Sequence, residues 1–484
     1  MDSVRRLAES CLLPGFVGTR APGWVLDRLE RGLGGAVLFA RNVRSPEQVA
    51  ALTAELHEVR PDALVAIDEE GGDVTRMEAA AGSSYPGNLA LGAAGDPELT
   101  RAVAASLGAE LAAAGIDLDL APVADVNSNP DNPVIGVRSF GADPELVAAH
   151  VTAFVRGLQS AGVGACVKHF PGHGDTSVDS HRGLPVVSGG EAELDAALLP
   201  FRAAIAAGVR AVMTAHLVVR VLDEEPATVS RAILTGLLRE RLGYAGLVIT
   251  DGLEMAAILT TIGLEEGAVR AVEAGADAIC VGGGLAGEEV VDLLAGALMD
   301  AVRAGRIGEE RLAEAAARVG RVGGARARGG VAPDRGLGLE AARRALRASG
   351  LEALAGPPVV VELRPEASIA VGVVPWGVGD VLRERDPAVT VLRFDGRPDL
   401  DAISAAAAGR PLVLVVRDLH RRPAHAAGAD AILARRPDTI VVEMGLPVRR
   451  PAGARAWLDT HGAARASAVA AADLLVGRKE RAAP

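Results

Sequence analysis

Aromatic residues are scarce in this chain, at 2% of its 484 residues. A surface that stacks bases or sugar rings on aromatic side chains is therefore not expected. Cysteine is rarer still. Cys11, Cys166 and Cys280 are odd in number and match no zinc or redox spacing, which argues against a disulfide framework. No apolar run approaches the ~20 residues that cross a bilayer, so no membrane partner is expected. The first residues, MDSVRRLAESCLLPGFVG, hold two arginines but no long apolar segment and no small-residue cleavage site. Together these lacks predict a cytoplasmic protein. Positive charge is also in deficit: the formal net charge is −12 and the pI about 5.4. That balance disfavours phosphate backbones, and with them nucleic acid, as partners.

What the chain has in quantity is aliphatic. Hydrophobic residues make up 49% of it and the mean hydropathy is +0.25, so a large core must be built from Ala, Val and Leu. Arg far outnumbers Lys, and Ala and Gly abound, a bias of GC-rich coding without functional content. The length exceeds one ordinary domain and predicts two.

Short aliphatic runs alternate with longer Ala/Leu/Glu-rich stretches through the first two-thirds. The runs are AVLFA (36–40), ALVAID (63–68), IDLDLAPV (116–123), GACVKHF (164–170), AVMTAH (211–216), GLVITD (246–251) and DAICVG (277–282). Helical patterns such as PEQVAALTAELHEV (46–59) and PELVAAHVTAFVRGLQSAG (144–162) lie between them. Buried strands alternating with helices predict a parallel sheet covered by helices. With seven runs visible and an eighth concealed, the sheet closes or nearly closes. Ionisable residues stand at the carboxyl ends of several runs: Asp68, Asp125, Lys168 with His169, His216 and Asp251. Active sites of (β/α)₈ barrels are assembled there from several strands.

The stretch GGARARGGVAPDRGLG (323–338) has no hydrophobic period and reads as a linker. After it come VVVELR (359–364), ASIAVGVV (367–374), AVTVLRF (388–394), PLVLVV (411–416) and TIVVEM (439–444), then an Ala-rich helix near 466–477. The expected organisation is a (β/α)₈-like TIM barrel over 1–330 followed by a smaller α/β sandwich over 340–484.

The densest chemical signal is KHFPGHGDTSVDSH (168–181), with three of the nine histidines on a Gly- and Pro-punctuated loop. His169, His173, Asp175, Asp179 and His181 have the chemistry of metal ligands. Against that, no helix is expected across PGHG, so His169 and His173 would not share a face. A different arrangement suits Asp179-Ser-His181: the carboxylate accepts from one ring nitrogen and raises the basicity of the other, as a general acid/base requires. Asp251, ending an apolar run before Gly252, suits a nucleophile or electrostatic stabiliser; a helix N-cap is the competing reading. The loop APVADVNSNPDNPVIGVRSFG (121–141) brings Asn127, Asn129 and Arg138, and AIDEEGGD (66–73) brings Asp68. Acid, amide and guanidinium groups of this kind bind polyhydroxylated ligands, and turn formation accounts for them equally.

These segments, with VMTAHL (212–217), VITDGLEM (248–255) and AVEAGAD (271–277), lie in order over most of residues 1–320. Together they resemble the family 3 glycoside hydrolases, and within them the NagZ-type β-N-acetylglucosaminidases. The tail HGAARASAVAAADLLVG (461–477) resembles the second domain of the two-domain members. The resemblance implies a (β/α)₈-like barrel and double displacement. It implies Asp251 as nucleophile, His181 as acid/base, Asp179 orienting it, Asp68, Arg138, Lys168 and His169 holding the sugar, and His216 at the same strand ends; it implies no metal and no cofactor. One departure stands out. The family pattern reads E-G-G-R where this chain has Glu70-Gly-Gly-Asp73, so an ion pair at that turn is lost or rebuilt. The resulting expectation is a retaining exo-β-N-acetylglucosaminidase acting on small glycosides such as peptidoglycan-derived muropeptides. A phosphorylase taking inorganic phosphate as acceptor and a non-catalytic carbohydrate-binding protein are the alternatives.

Overall fold

The computed structural model describes residues 3–325, 330–369 and 371–477. Contacts divide the chain into two compact units, and the division is not a single cut. The first comprises Met1–Glu70, Thr100–Ile135 and Gly141–Pro333; the second comprises Gly71–Leu99, Gly136–Phe140 and Asp334–Pro484.

The first unit is the barrel. Its strands are β1 (Leu12–Pro14), β2 (Gly35–Leu38), β3 (Leu64–Ile67), β4 (Leu118–Asp119), β5 (Gly164–Phe170), β6 (Ala211–Thr214), β7 (Leu247–Ile249) and β8 (Ile279–Val281). The first of these is the concealed eighth strand. Strands β2 to β7 form one continuous parallel sheet in chain order, and β8 pairs in parallel with β1. Two links complete the ring. Ile249 bridges Ala278, and β1 packs beside β2, with the Gly34 amide just before β2 donating to the carbonyl of Glu9, in the helix Ser3–Ser10, at 3.0 Å. Gly34 is required there, since a Cβ would lie 2.4 Å from the Ser10 carbonyl oxygen. Residues two apart point inward, as in Leu64/Ala66, Leu118/Leu120, Ala211/Met213 and Leu247/Ile249, and they fill the interior. Small and branched aliphatics suffice, which explains a core with so few rings.

At the amino ends of these strands Asp277, with no exposure, meets Arg239, Arg311 and Arg318 at 2.5 to 3.0 Å and accepts from the Val248 amide at 2.9 Å. All three cysteines are free and buried in this unit. Burial pushes their thiols up, that of Cys11 to about 12.

The second unit is a six-stranded sheet built from β9 (Arg347–Ser349), β10 (Val359–Leu363), β11 (Thr390–Phe394), β12 (Leu412–Val416), β13 (Ile440–Glu443) and β14 (Ala456–Asp459). Its order is β9-β14-β13-β12-β10-β11. Only the β9–β14 pairing is antiparallel. Alternate residues feed two cores: Val413 and Val415 meet the Ala-rich helix Arg465–Leu475 on one face, and Leu412 and Leu414 meet the helix Pro423–Arg435 on the other.

Two expectations need correction here. The run at 367–374 forms no strand among its described residues (Ala370 lies outside them). Val373 is 90% exposed and Ile369 64%, so β-branched composition without a neighbouring strand leaves an irregular loop. The linker stretch is shorter than the composition indicates. Residues 326–329 lie outside the described residues, the helix Glu309–Gly323 ends at its start, and the helix Arg335–Ala345 begins within it, capped by the Asp334 side chain on the Gly336 amide.

Asp73, where an ion pair was expected to be lost or rebuilt, has a rebuilt one. It is buried within the second unit, paired through Oδ2 with Arg417 and accepting at Oδ1 from the Ala463 amide at 2.8 Å.

Candidate active site

The carboxyl ends of β3, β5, β6 and β7 bring together Asp68, Lys168, His169, His216 and Asp251. Lys168, buried in β5, reaches Asp68 past the end of β3 and Glu70 at 2.7 Å. Two carboxylates offset the cost of desolvating one ammonium, and the ammonium in turn holds the Asp68 side chain, which keeps 26% exposure.

His169 follows, in a segment where the Lys168–His169 and Phe170–Pro171 peptide bonds are cis. Its backbone amide donates to Asp125 Oδ1 at 3.2 Å and its Nδ1 lies 2.7 Å from Asp125 Oδ2. The His173 amide donates to Oδ1 of the same carboxylate at 2.7 Å.

The loop from His173 to His181 is held by its own hydroxyls and by the 127–132 segment. His173 Nδ1 meets Thr176 Oγ1 at 2.7 Å and Nε2 meets Ser180 Oγ at 3.3 Å. Burial lowers this imidazole to about 4, so it is neutral near pH 7. Asn132 donates to the His173 carbonyl at 2.8 Å and Asn129 to the Thr176 carbonyl at 3.3 Å. Gly174 passes so close to Val126 that a Cβ would stand 1.7 Å from its carbonyl oxygen. Asn129, read as a ligand donor, thus serves the loop. At the loop's end the Asp179 carboxylate takes both the His181 Nδ1 (2.8 Å) and the His181 amide (2.9 Å). Burial opposes ionisation of Asp179, but these two donors hold it below the usual carboxylate range.

Asp251 stands just past β7 and accepts from the Gly252 amide at 2.8 Å. Burial would raise its pKa; His216, His169 and His181, with the Gly252 amide, instead bring it down to about 2. It is ionised throughout the physiological range. The His181 loop is tied to this strand end, because the Ala257 amide donates to the Ser180 carbonyl at 3.3 Å.

His216 has no exposure. Its Nε2 lies 3.0 Å from the Gly252 carbonyl, to which it must donate, and its Nδ1 lies 2.7 Å from Thr228 Oγ1. Burial lowers its pKa. Both nitrogens are engaged within the protein, which suits a brace for the Asp251–Gly252 turn better than a sugar contact. Beyond it, Glu254 Oε1 accepts from the amides of Gly282 (2.9 Å), Gly283 and Gly284 (3.3 Å), joining the ends of β7 and β8.

Arg138 belongs to the second unit, in the short turn Gly136–Arg138, with its carbonyl accepting from Asn88 Nδ2 at 2.7 Å. The residues that sequence reasoning left without a role are Thr176, Ser180, Thr228, Asn132 and Glu254, which act through loop contacts that no spacing encodes. Asp125 had a signal, its strand-end position, but no assigned partner. Among the described residues no group of three or more His, Cys, Asp or Glu is arranged to hold a metal ion, and no helix is long and apolar enough to cross a membrane.

An ionised carboxylate flanked by an imidazole–carboxylate pair can attack a carbon centre and pass protons to and from an oxygen. Residues 26–322 match the family model described as "Glycosyl hydrolase family 3 N terminal domain". The chain is 37% identical over 317 residues to beta-hexosaminidase A of Pseudoalteromonas piscicida, covering 60% of this chain and 53% of that one. It is 40% identical over 251 residues to a beta-hexosaminidase of Methylococcus capsulatus, covering 51% of this chain and 75% of the relative. It thus spans about half the length of the first relative. Among solved structures, a glycoside hydrolase family 3 beta-N-acetylglucosaminidase from Paenibacillus sp. superposes with a TM-score of 0.88 at 36% identity, covering 99% of this chain and 98% of that one.

Proposed function

Because the chain belongs to glycosyl hydrolase family 3, we propose that it is a retaining exo-β-N-acetylglucosaminidase that removes non-reducing terminal β-GlcNAc from small glycosides. Asp251 attacks the anomeric carbon and forms a glycosyl ester. His181 first protonates the departing oxygen and then, as a base, draws a proton from the water that hydrolyses the ester. Asp179 holds the His181 ring with Nδ1 protonated and stabilises the imidazolium. Asp68, Lys168 and His169 bind the sugar, and His216 braces the nucleophile's turn.

The observation that carries this reading is the pairing of an ionised Asp251, its pKa near 2, with the 2.8 Å His181–Asp179 contact on a loop tied to the same strand end. The names of the relatives, beta-hexosaminidase and beta-N-acetylglucosaminidase, support the choice of sugar. Peptidoglycan-derived muropeptides in the cytoplasm are the natural candidates for the substrate, a location that cell fractionation tests.

The deciding assay compares chromophore release from aryl β-GlcNAc and aryl β-glucoside, each with and without inorganic phosphate. Faster release from the GlcNAc glycoside, with free GlcNAc as product, is expected. Equal or faster release from the glucoside overturns the sugar assignment, and GlcNAc-1-phosphate as the main product would make the enzyme a phosphorylase.

A further inference from the structure

Asp125 has no exposure, and the reaction proposed above gives it no step. Its position is set by main chain: Val123 bridges Lys168 in parallel, and the Ala124 amide donates to the Lys168 carbonyl at 2.6 Å. The chain leaving β4 is thereby fastened to the end of β5. From there the carboxylate gathers the three donors already described, the His169 amide, the His169 ring and the His173 amide. A carboxylate only accepts hydrogen bonds, so His169 Nδ1 carries a proton, and in the neutral ring Nε2 is then the lone-pair nitrogen. The Oδ1 oxygen meanwhile holds the root of the loop that runs from His173 to Asp179, Ser180 and His181.

We propose that Asp125 is a positioning residue that fixes the tautomer of His169, so that Nε2 accepts from a sugar hydroxyl, and that roots the acid/base loop through the His173 amide. The part concerning the sugar rests on the glycosidase reading; the tautomer does not. Replacement by asparagine separates the two functions of the side chain. An amide oxygen at Oδ1 still accepts from both backbone amides and keeps the course of the loop. The NH₂ at the other position faces the ring and makes Nδ1 an acceptor, which moves the proton to Nε2 and turns the sugar-facing nitrogen into a donor.

The test uses the full chain labelled with ¹⁵N at histidine. Two-bond ¹H–¹⁵N correlation spectra report the tautomer of each imidazole, and His169→Gln identifies the His169 signals. Expected is Nδ1–H in the wild type and Nε2–H in Asp125→Asn. With aryl β-GlcNAc, KM rises about tenfold in the variant while kcat changes less, the signature of a lost binding contact. A purely structural role would lower the stability of Asp125→Asn without reversing the tautomer. An Nε2–H wild type, or an unchanged tautomer in Asp125→Asn, overturns the proposal, and an unchanged KM overturns its sugar-presenting half. If Asp125→Asn does not fold, the wild-type tautomer alone decides. Since the spectra need no substrate, a chain that cleaves no β-GlcNAc glycoside counts against the glycosidase reading and leaves the tautomer result to be judged by itself.

Discussion

Asp251 is under two opposing influences, burial that favours the neutral acid and imidazoles that favour the anion, and the anion prevails. As nucleophile it should be irreplaceable by its amide, which cannot form the ester: Asp251→Asn should fold normally and lose roughly 10³-fold or more in kcat. Near-normal turnover in the purified variant would remove Asp251 from the mechanism. His181→Ala should lose about 10²- to 10⁴-fold on a natural disaccharide, and much less on an aryl glycoside whose leaving group needs no proton; Asp179→Asn should give a milder form of the same pattern. Equal losses on both substrates would contradict a general acid. His173 yields a prediction about stability. Its folded pKa is lowered to about 4 from an ordinary 6.5. Between those values the unfolded chain binds a proton that the folded chain does not. This group's contribution is therefore whole above pH 6.5 and is lost as the pH falls toward 4, by about 3 kcal/mol. The fall in Tm from pH 7.5 to 4.5 should be smaller in His173→Gln than in the wild type, and an equal fall would show that the ring is protonated in the fold.

The elements that sequence reasoning found most readily are those whose burial is periodic. Runs such as ALVAID and GLVITD are strands because alternate residues fill the barrel and the others meet helices. β1 escaped notice because three residues, Leu12–Pro14, are too few to show a period. At 367–374 composition misled, since valine and isoleucine favour a strand only where a neighbour can pair with it. Of the site, the titratable residues at strand ends were legible and the hydroxyls and amides that orient them were not, because Thr228 and Ser180 act through contacts made only when loops meet. Asp277 in AVEAGAD was legible as a motif, yet the structure puts it among three arginines at the opposite end of the barrel, where it serves stability. The unit boundaries matter for truncation. The helix Asn88–Ala94 packs on Arg335–Ala345, where Gly338 lets the chain approach Ser84. A chain ending near residue 335 should therefore be cleaved by protease within 71–99 and melt below the full chain. Resistance of that segment, with an unchanged Tm, would show that it holds without these partners.

At the scale of the whole molecule, the two compact units differ in which spectroscopic and reactive groups they contain. Cys11, Cys166 and Cys280 all belong to the first unit and are buried with their thiols held protonated; the second has no cysteine. Trp376 and Trp457 belong to the second, and only Trp24 to the first. Trp457 is 5% exposed, with the Arg450 guanidinium 5.6 Å from its ring and its Nε1 donating to Asp459. A folded barrel should thus be silent to a thiol-reactive disulfide, and each labelled cysteine should record one opening of that unit and nothing of the other. In Trp24→Phe the remaining emission should record only the second unit. Followed along a denaturant series, the labelling curve and the emission curve should separate, and their coincidence would mean that the chain opens as one body. The uneven placement of sulfur and indole thus gives each unit a reporter of its own, thiols in the first and indole in the second.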